Sequence, residues 1–169
     1  MEFITQFVEE LDRETERSRR TLLNVPDNMR AWKPHERSME LGDVADMVAT
    51  IPHWLAMMVK QDEMDIAPKD GVPRQGPHPQ TSAEFVAALE KAAGDAKAAL
   101  SAADNAHLQD SWRLLVGGTV VSDTSRQLML RDTMNHWVHH RGQLTVYLRL
   151  LGADVPATYG PSADDKRFD

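Results

Sequence analysis

The sequence contains no cysteine among its 169 residues. That absence excludes disulfides, thiolate metal ligands and a protein-borne thiol nucleophile, so any thiol in its chemistry must arrive from solution. No apolar run approaches the length of a membrane span. Basic charge is also scarce: 19 Lys and Arg stand against 26 Asp and Glu, a net charge of -7. Nucleic-acid binders rely on clustered cations, and this balance argues against them. The one basic cluster, Arg13 to Arg20, is interrupted by Glu14 and Glu16 and reads as a solvated helix face. Glu2, Glu9 and Glu10 follow closely on Met1, unlike a signal peptide. The expectation is a cytoplasmic protein with neither a nucleic-acid nor a membrane partner.

The remaining composition is that of one soluble domain, 41% hydrophobic and 27% charged. Residues 2–24 place Phe3, Phe7, Leu11, Ser18 and Leu22 near one helical stripe, ended by Pro26. A second helix is expected over 39–60, with Ser38 as N-cap and Pro52 inside it. The stretch 62–80, holding Pro68, Pro73, Pro77 and Pro79 with Gly71 and Gly76, reads as a loop. Thr81-Ser-Ala-Glu84 is a capping box for an alanine-rich third helix reaching about residue 103. Residues 104–121 stay open between a short hairpin around Gly117-Gly118 and an irregular excursion. A fourth helix spans 123–151 and stops at Gly152. Four such helices with two long connections imply an all-α four-helix bundle, a single domain over 1–169 with the tail 153–169 packing on it.

Chemistry concentrates in His136-Trp-Val-His139-His140, three of the seven histidines in five residues. His136 and His140 are four apart, so on a helix they lie about 40° from each other and one turn along. Two imidazoles so placed can share a metal ion, the physics behind HExxH zinc helices, although no glutamate follows the first histidine here. The same face carries Met129, Asp132, Thr133, Gln143 and Tyr147, polar groups that a bundle core tolerates only when they are paired or metal-bound. His139 is about 100° round from His140, which suits a supporting role. Gly142 in mid-helix suggests a close helix contact. The four tryptophans read as core or interface anchors, and His35, His78 and His107 as solvated connector residues.

Asn135-His-Trp-Val-His-His-Arg-Gly-Gln-Leu-Thr-Val-Tyr-Leu-Arg149, followed by Val155-Pro-Ala-Thr-Tyr-Gly-Pro-Ser-Ala-Asp164, resembles the C-terminal signature of the DinB/YfiT-like family. Trp32-Lys-Pro-His35, Ser38-Met39 and Pro52-His-Trp54 resemble its N-terminal half. The resemblance implies a bundle, often dimeric, with a divalent metal such as Ni or Zn on three histidines. One histidine comes from the second helix, and the HxxxH pair maps onto His136 and His140. It also implies a metal-dependent hydrolase or transferase acting on a small electrophile with a low-molecular-weight thiol, and a homodimer.

The chain departs from the family pattern at the second-helix ligand, where Met47 stands. A thioether suits Cu(I) better than Zn(II) or Ni(II). His53, the only histidine on that helix, is about 120° from the Met47 direction unless Pro52 re-aims it. Asp43 and Asp46 are the carboxylate alternatives. Asp132 and His139 are candidates to orient a ligand imidazole, with Gln143 and Tyr147 lining the pocket. Three readings stand: a metal-dependent enzyme; a metal-free or weakly metal-binding descendant that binds a small molecule or partner; and a structural assembly protein whose histidines make core hydrogen bonds.

Overall fold

Four helices carry the molecule, α1 (Phe3–Leu22), α2 (Leu41–Lys60), α3 (Ser82–Ala102) and α4 (Arg126–Leu150). The computed structural model describes residues 3–69, 71 and 78–168; Pro73, Gly76 and Pro77 of the expected loop lie outside them. The purely all-α expectation is corrected by a three-stranded sheet, β1 (Glu63–Asp65), β2 (Ser111–Val116) and β3 (Thr119–Ser125), in the order β1-β2-β3. β2 and β3 form an antiparallel hairpin turned by Gly117 (φ 59) and Gly118 (φ 80), the positive dihedrals that a tight two-residue turn demands. β1 joins β2 in parallel. Asp65 then fastens the turn, its carboxylate accepting from the backbone N–H groups of Ala67, Gly117 and Gly118.

α2 is the central helix, packing mainly on α3 and α4, while α3 also packs on α1. Its apolar residues Leu41, Val44, Val48, Ile51, Leu55 and Met58 are buried. The alanines of α3, among them Ala92, Ala96 and Ala99, allow the close approach. The capping box forms in a modified way: Thr81 Oγ1 accepts from Glu84 N, but the Glu84 carboxylate reaches Gln80 N instead of the Thr81 backbone.

Ser38 does not cap α2. The N-cap is Glu40, which makes no side-chain cap bond. The connector caps the helix with its own backbone, Leu41 N donating to Trp32 O (2.7 Å) and Gly42 N to Arg30 O (3.0 Å). A Cβ on Gly42 would lie 2.7 Å from Arg30 Cζ, so glycine is what lets this chain crossing happen.

At the other end of α2, Arg126 is 1% exposed and donates to Met58 O, Gln61 O and Ser111 O, and pairs with Asp62. His107, expected to be solvated, has Nε2 2.8 Å from Val59 O. Two nitrogen-bearing side chains thus satisfy carbonyls that the helix end leaves open.

α4 starts at Ser125, whose Oγ accepts from Leu128 N, and ends at Gly152 (φ 73). Ala153 N bonds Leu148 O there, the six-to-one bond of a Schellman stop. Gly142 is exposed, and among the described residues nothing lies within 4 Å of a Cβ placed on it, so the close contact expected at that position is not made there.

Candidate functional site

Pro52 has no N–H, and an α-helix would use that donor to satisfy Val48 O four residues earlier. Trp137 supplies the missing donor: its buried Nε1 lies 2.7 Å from Val48 O. Nearby contacts run in the same antiparallel sense, Thr133 Oγ1 to Met58 Sδ (3.4 Å) and the Trp54 ring edge-on to His136 (centroids 5.9 Å). Tyr147 OH donates to Met39 O at the far end, its ring edge-on to Trp32. These contacts fix α4 in rotation and register against α2.

With α4 so held, His136 and His140 converge. Their Nε2 atoms are 2.7 Å apart and their rings 4.6 Å between centroids. Gln143 Oε1 lies 2.7 Å from His140 Nδ1. An amide oxygen only accepts, so Nδ1 carries the proton and His140 Nε2 offers its lone pair toward His136. Burial lowers the pKa of His136, with the charge of His139 adding to the effect. Burial is also the main cause of the lowered His140 pKa, assisted by His136 and His139 and opposed by the Gln143 bond. Both imidazoles are therefore biased toward the neutral form, the form that binds metal.

The other expected site residues divide. His139 is exposed and edge-on to His140, 5.3 Å between centroids. Met47 is half-buried and packs against the core, seven residues before Trp54 on the same stripe of α2. Tyr147 is buried at the α2 end of the site. Asp43 and Asp132 are exposed. Asp46 is engaged by Arg30, at 2.6 and 3.2 Å. His53 is exposed on the flank of α2 toward α3, near Asp95, whose pKa is lowered chiefly by its hydrogen bond from Lys91. Pro52 has not swung it inward. Among the described residues, no group of three His, Cys, Asp or Glu side chains is placed to hold an ion. What this chain assembles is a two-imidazole centre with Gln143 behind it.

Sequence reasoning missed a second polar cluster next door. Arg141, 1% exposed, pairs with Glu14 Oε2 at 2.5 Å and donates to Glu14 O, Ser18 Oγ and Tyr159 OH. Tyr159 OH in turn donates to Glu14 Oε2. Glu14, Ser18 and Arg20 are buried, so the stretch 13–20 is not the solvated face expected of it. The cluster pins the C-terminal segment and α1 to the back of α4; the ion pair Arg149–Asp164 adds a second fastening.

The DinB family model matches residues 1–167, nearly the whole chain. The chain belongs to the DinB family. Solved structures agree at the level of fold. A DinB-like protein of Bacillus subtilis, YjoA, is 17% identical with a TM-score of 0.69, covering 90% of this chain and 97% of that one. A DinB-like protein of Bacillus cereus is 23% identical with a TM-score of 0.68, covering 90% and 95%. No curated protein matches. Among the described residues, no helix of this DinB-family chain is long and apolar enough to cross a membrane.

Proposed function

We propose that this DinB-family protein is a metal-dependent enzyme, of the transferase or hydrolase type, built on His136 and His140. The observation that carries this reading is the convergence of two Nε2 atoms at 2.7 Å with the His140 tautomer set by Gln143. Two ligands in adjacent positions around a divalent ion, each about 2.1 Å from it, stand about 3.0 Å apart at right angles and about 3.4 Å apart at the tetrahedral angle, so the pair needs to part by less than about 1 Å to fit one. The ion when bound, Ni(II) or Zn(II), supplies Lewis acidity and lowers the pKa of a small thiol at an open position. Since the chain has no cysteine, that thiol comes from solution.

The protein's own residues do the rest. Gln143 holds His140 Nδ1–H, keeping the Nε2 lone pair aimed at the centre. Trp54 walls one side of His136 and restricts water there. Met47, two turns along α2 on the Trp54 stripe, presents an apolar surface where an electrophilic substrate can pack.

A second reading draws on Met47 itself. With a thioether in place of the second-helix histidine, the bundle is instead a metal-free or weakly metal-binding protein that receives a small molecule or a partner.

Metal analysis of tag-free protein, followed by Ni(II) and Zn(II) titration against a chromophoric chelator, separates the two. The enzyme reading expects one ion per chain and its loss in His136→Ala and His140→Ala. Wild type that binds no better than these variants supports the second reading.

A further inference from the structure

The outward face of α4 carries a continuous stripe that is left exposed among the described residues. Leu128, Asp132, Asn135, His139, Gly142, Val146 and Leu150 recur at spacings of three or four residues and are all exposed. Leu128 and Val146 are 57% exposed and Leu150 60%. From Leu128 to Leu150 the stripe runs about 33 Å at 1.5 Å per residue.

The stripe is symmetric about His139. Leu128 lies 139 − 128 = 11 residues before it and Leu150 lies 150 − 139 = 11 after it. Asp132 and Val146 are each seven away, and Asn135 and Gly142 are four and three away. Under a two-fold axis at His139, an antiparallel second copy sets Leu128 against the partner's Leu150. Asp132, which makes no ion pair among the described residues, faces the partner's Val146 with the partner's Arg149 one turn further on. Gly142, bare of neighbours within 4 Å of a Cβ, meets the partner's Asn135 and permits the helices to approach closely. A self-complementary patch of this kind is what a two-fold dimer interface requires.

His139 sits on that axis, and its ring is already beside His140. Within one chain it does not form a three-ligand group with the pair. On α4, His136 is exposed and about 60° round from His139, so the His136 side of the centre borders the stripe, level with the axis.

We infer that two copies of this chain pack antiparallel along α4 and that the partner's His139 supplies the third imidazole to the His136/His140 centre. The ligand assignment rests on the metal-centre reading above; the pairing does not.

Because the chain has no cysteine, His139→Cys introduces a unique thiol. In metal-free protein it should oxidise to a covalent dimer at low protein concentration, since a disulfide needs Cα atoms within about 7 Å. Asp154→Cys, off the stripe, is the collision control. Gly142→Arg in the same background should abolish the cross-link while leaving helicity intact. Oxidation of His139→Cys no faster than the control overturns the pairing.

Ligation across the dimer is read by mixing two variants with an intact α4 stripe. His139→Ala and the double variant His136→Ala/His140→Ala should each bind Ni(II) about tenfold or more weakly than wild type. An equal mixture should recover tight sites at roughly a quarter of the wild-type number, because half the dimers are mixed and each holds one complete site. No recovery on mixing overturns the ligand assignment. Wild type that binds no Ni(II) overturns the metal-centre reading and the ligand assignment together, whereas the cross-link still decides the pairing.

Discussion

Trp137 donates its indole N–H to Val48 O, the carbonyl that Pro52 leaves without a helical partner. The carbonyl that the proline would otherwise leave unpaired in the core becomes the acceptor for a side chain from α4. Trp137 lies between His136 and the His139-His140 pair in sequence, so this bond sets where α4 presents its imidazoles. Trp137→Phe should destabilise the fold by about 1–3 kcal/mol, mostly through the buried carbonyl left unsatisfied. Urea denaturation measures it. In a Pro52→Ala background the backbone N–H restored at position 52 can donate to Val48 O, and the loss should shrink; an equal loss in both backgrounds counts against this account.

Gln143 is predicted to matter without touching a metal. Gln143→Leu preserves bulk and removes the acceptor for His140 Nδ1–H, freeing the ring to change tautomer. Divalent affinity should fall about 10- to 100-fold with the melting temperature nearly unchanged. Chelator competition on the two proteins gives the answer, and matched affinities would remove Gln143 from the site.

Met47→His tests the second-helix position directly. The new imidazole would stand on the Trp54 stripe of α2, facing the His136/His140 pair, and should tighten Zn(II) or Ni(II) binding by about tenfold or more. Isothermal titration reads the change. Unaltered affinity would mean that position 47 does not look onto the centre.

Glu14 links stability to pH. Burial alone would raise its pKa, but the Arg141 charge and hydrogen bonds from Tyr159, Arg141 and Arg17 outweigh that and hold it below the ordinary value of 4.5. A depressed carboxylate stabilises the fold above its unfolded pKa and loses that contribution as pH falls through the folded value. Unfolding free energy should thus decline as pH drops below about 4.5, and Glu14→Gln should flatten part of that decline while lowering stability at pH 7. Denaturant titrations across pH 3 to 7 provide the comparison. Parallel pH profiles for the two proteins would rule Glu14 out as the linked group.

The features legible in sequence are those with local periodicity. The apolar spacing of all four helices, the Thr81 cap, the Gly152 stop and the His136/His140 face follow from residues within a turn or two of each other. What escapes depends on distant pairings. Glu14 and Arg141 are 127 positions apart and each looks like a surface charge among surface charges. Arg126 reads as a first-turn cation in the least favourable place on its own helix, and only the end of α2 explains it. β1 is three residues long, too short for an alternation to show. Ser38 has the chemistry of an N-cap, but the backbone carbonyls of Arg30 and Trp32 occupy the donors it would have capped. Gly142 reads in sequence as a contact inside the bundle, whereas it faces outward.

His140 and Arg141 are consecutive, yet one looks into the centre and the other into the Glu14–Tyr159 cluster. Their side chains leave the helix about 100° apart, so the two sides of α4 are keyed to each other like teeth on one shaft. An imidazole nitrogen about 6 Å from the helix axis moves roughly 2 Å when the helix turns by about 20°, more than a hydrogen bond or a coordinate bond tolerates. Tyr159 and Glu14 hold Arg141 against such a turn. The C-terminal segment, which contributes no atom to the His136/His140 pair, therefore shares with the α2 contacts in holding its aim, and removing it should loosen that aim while leaving every site residue in the chain.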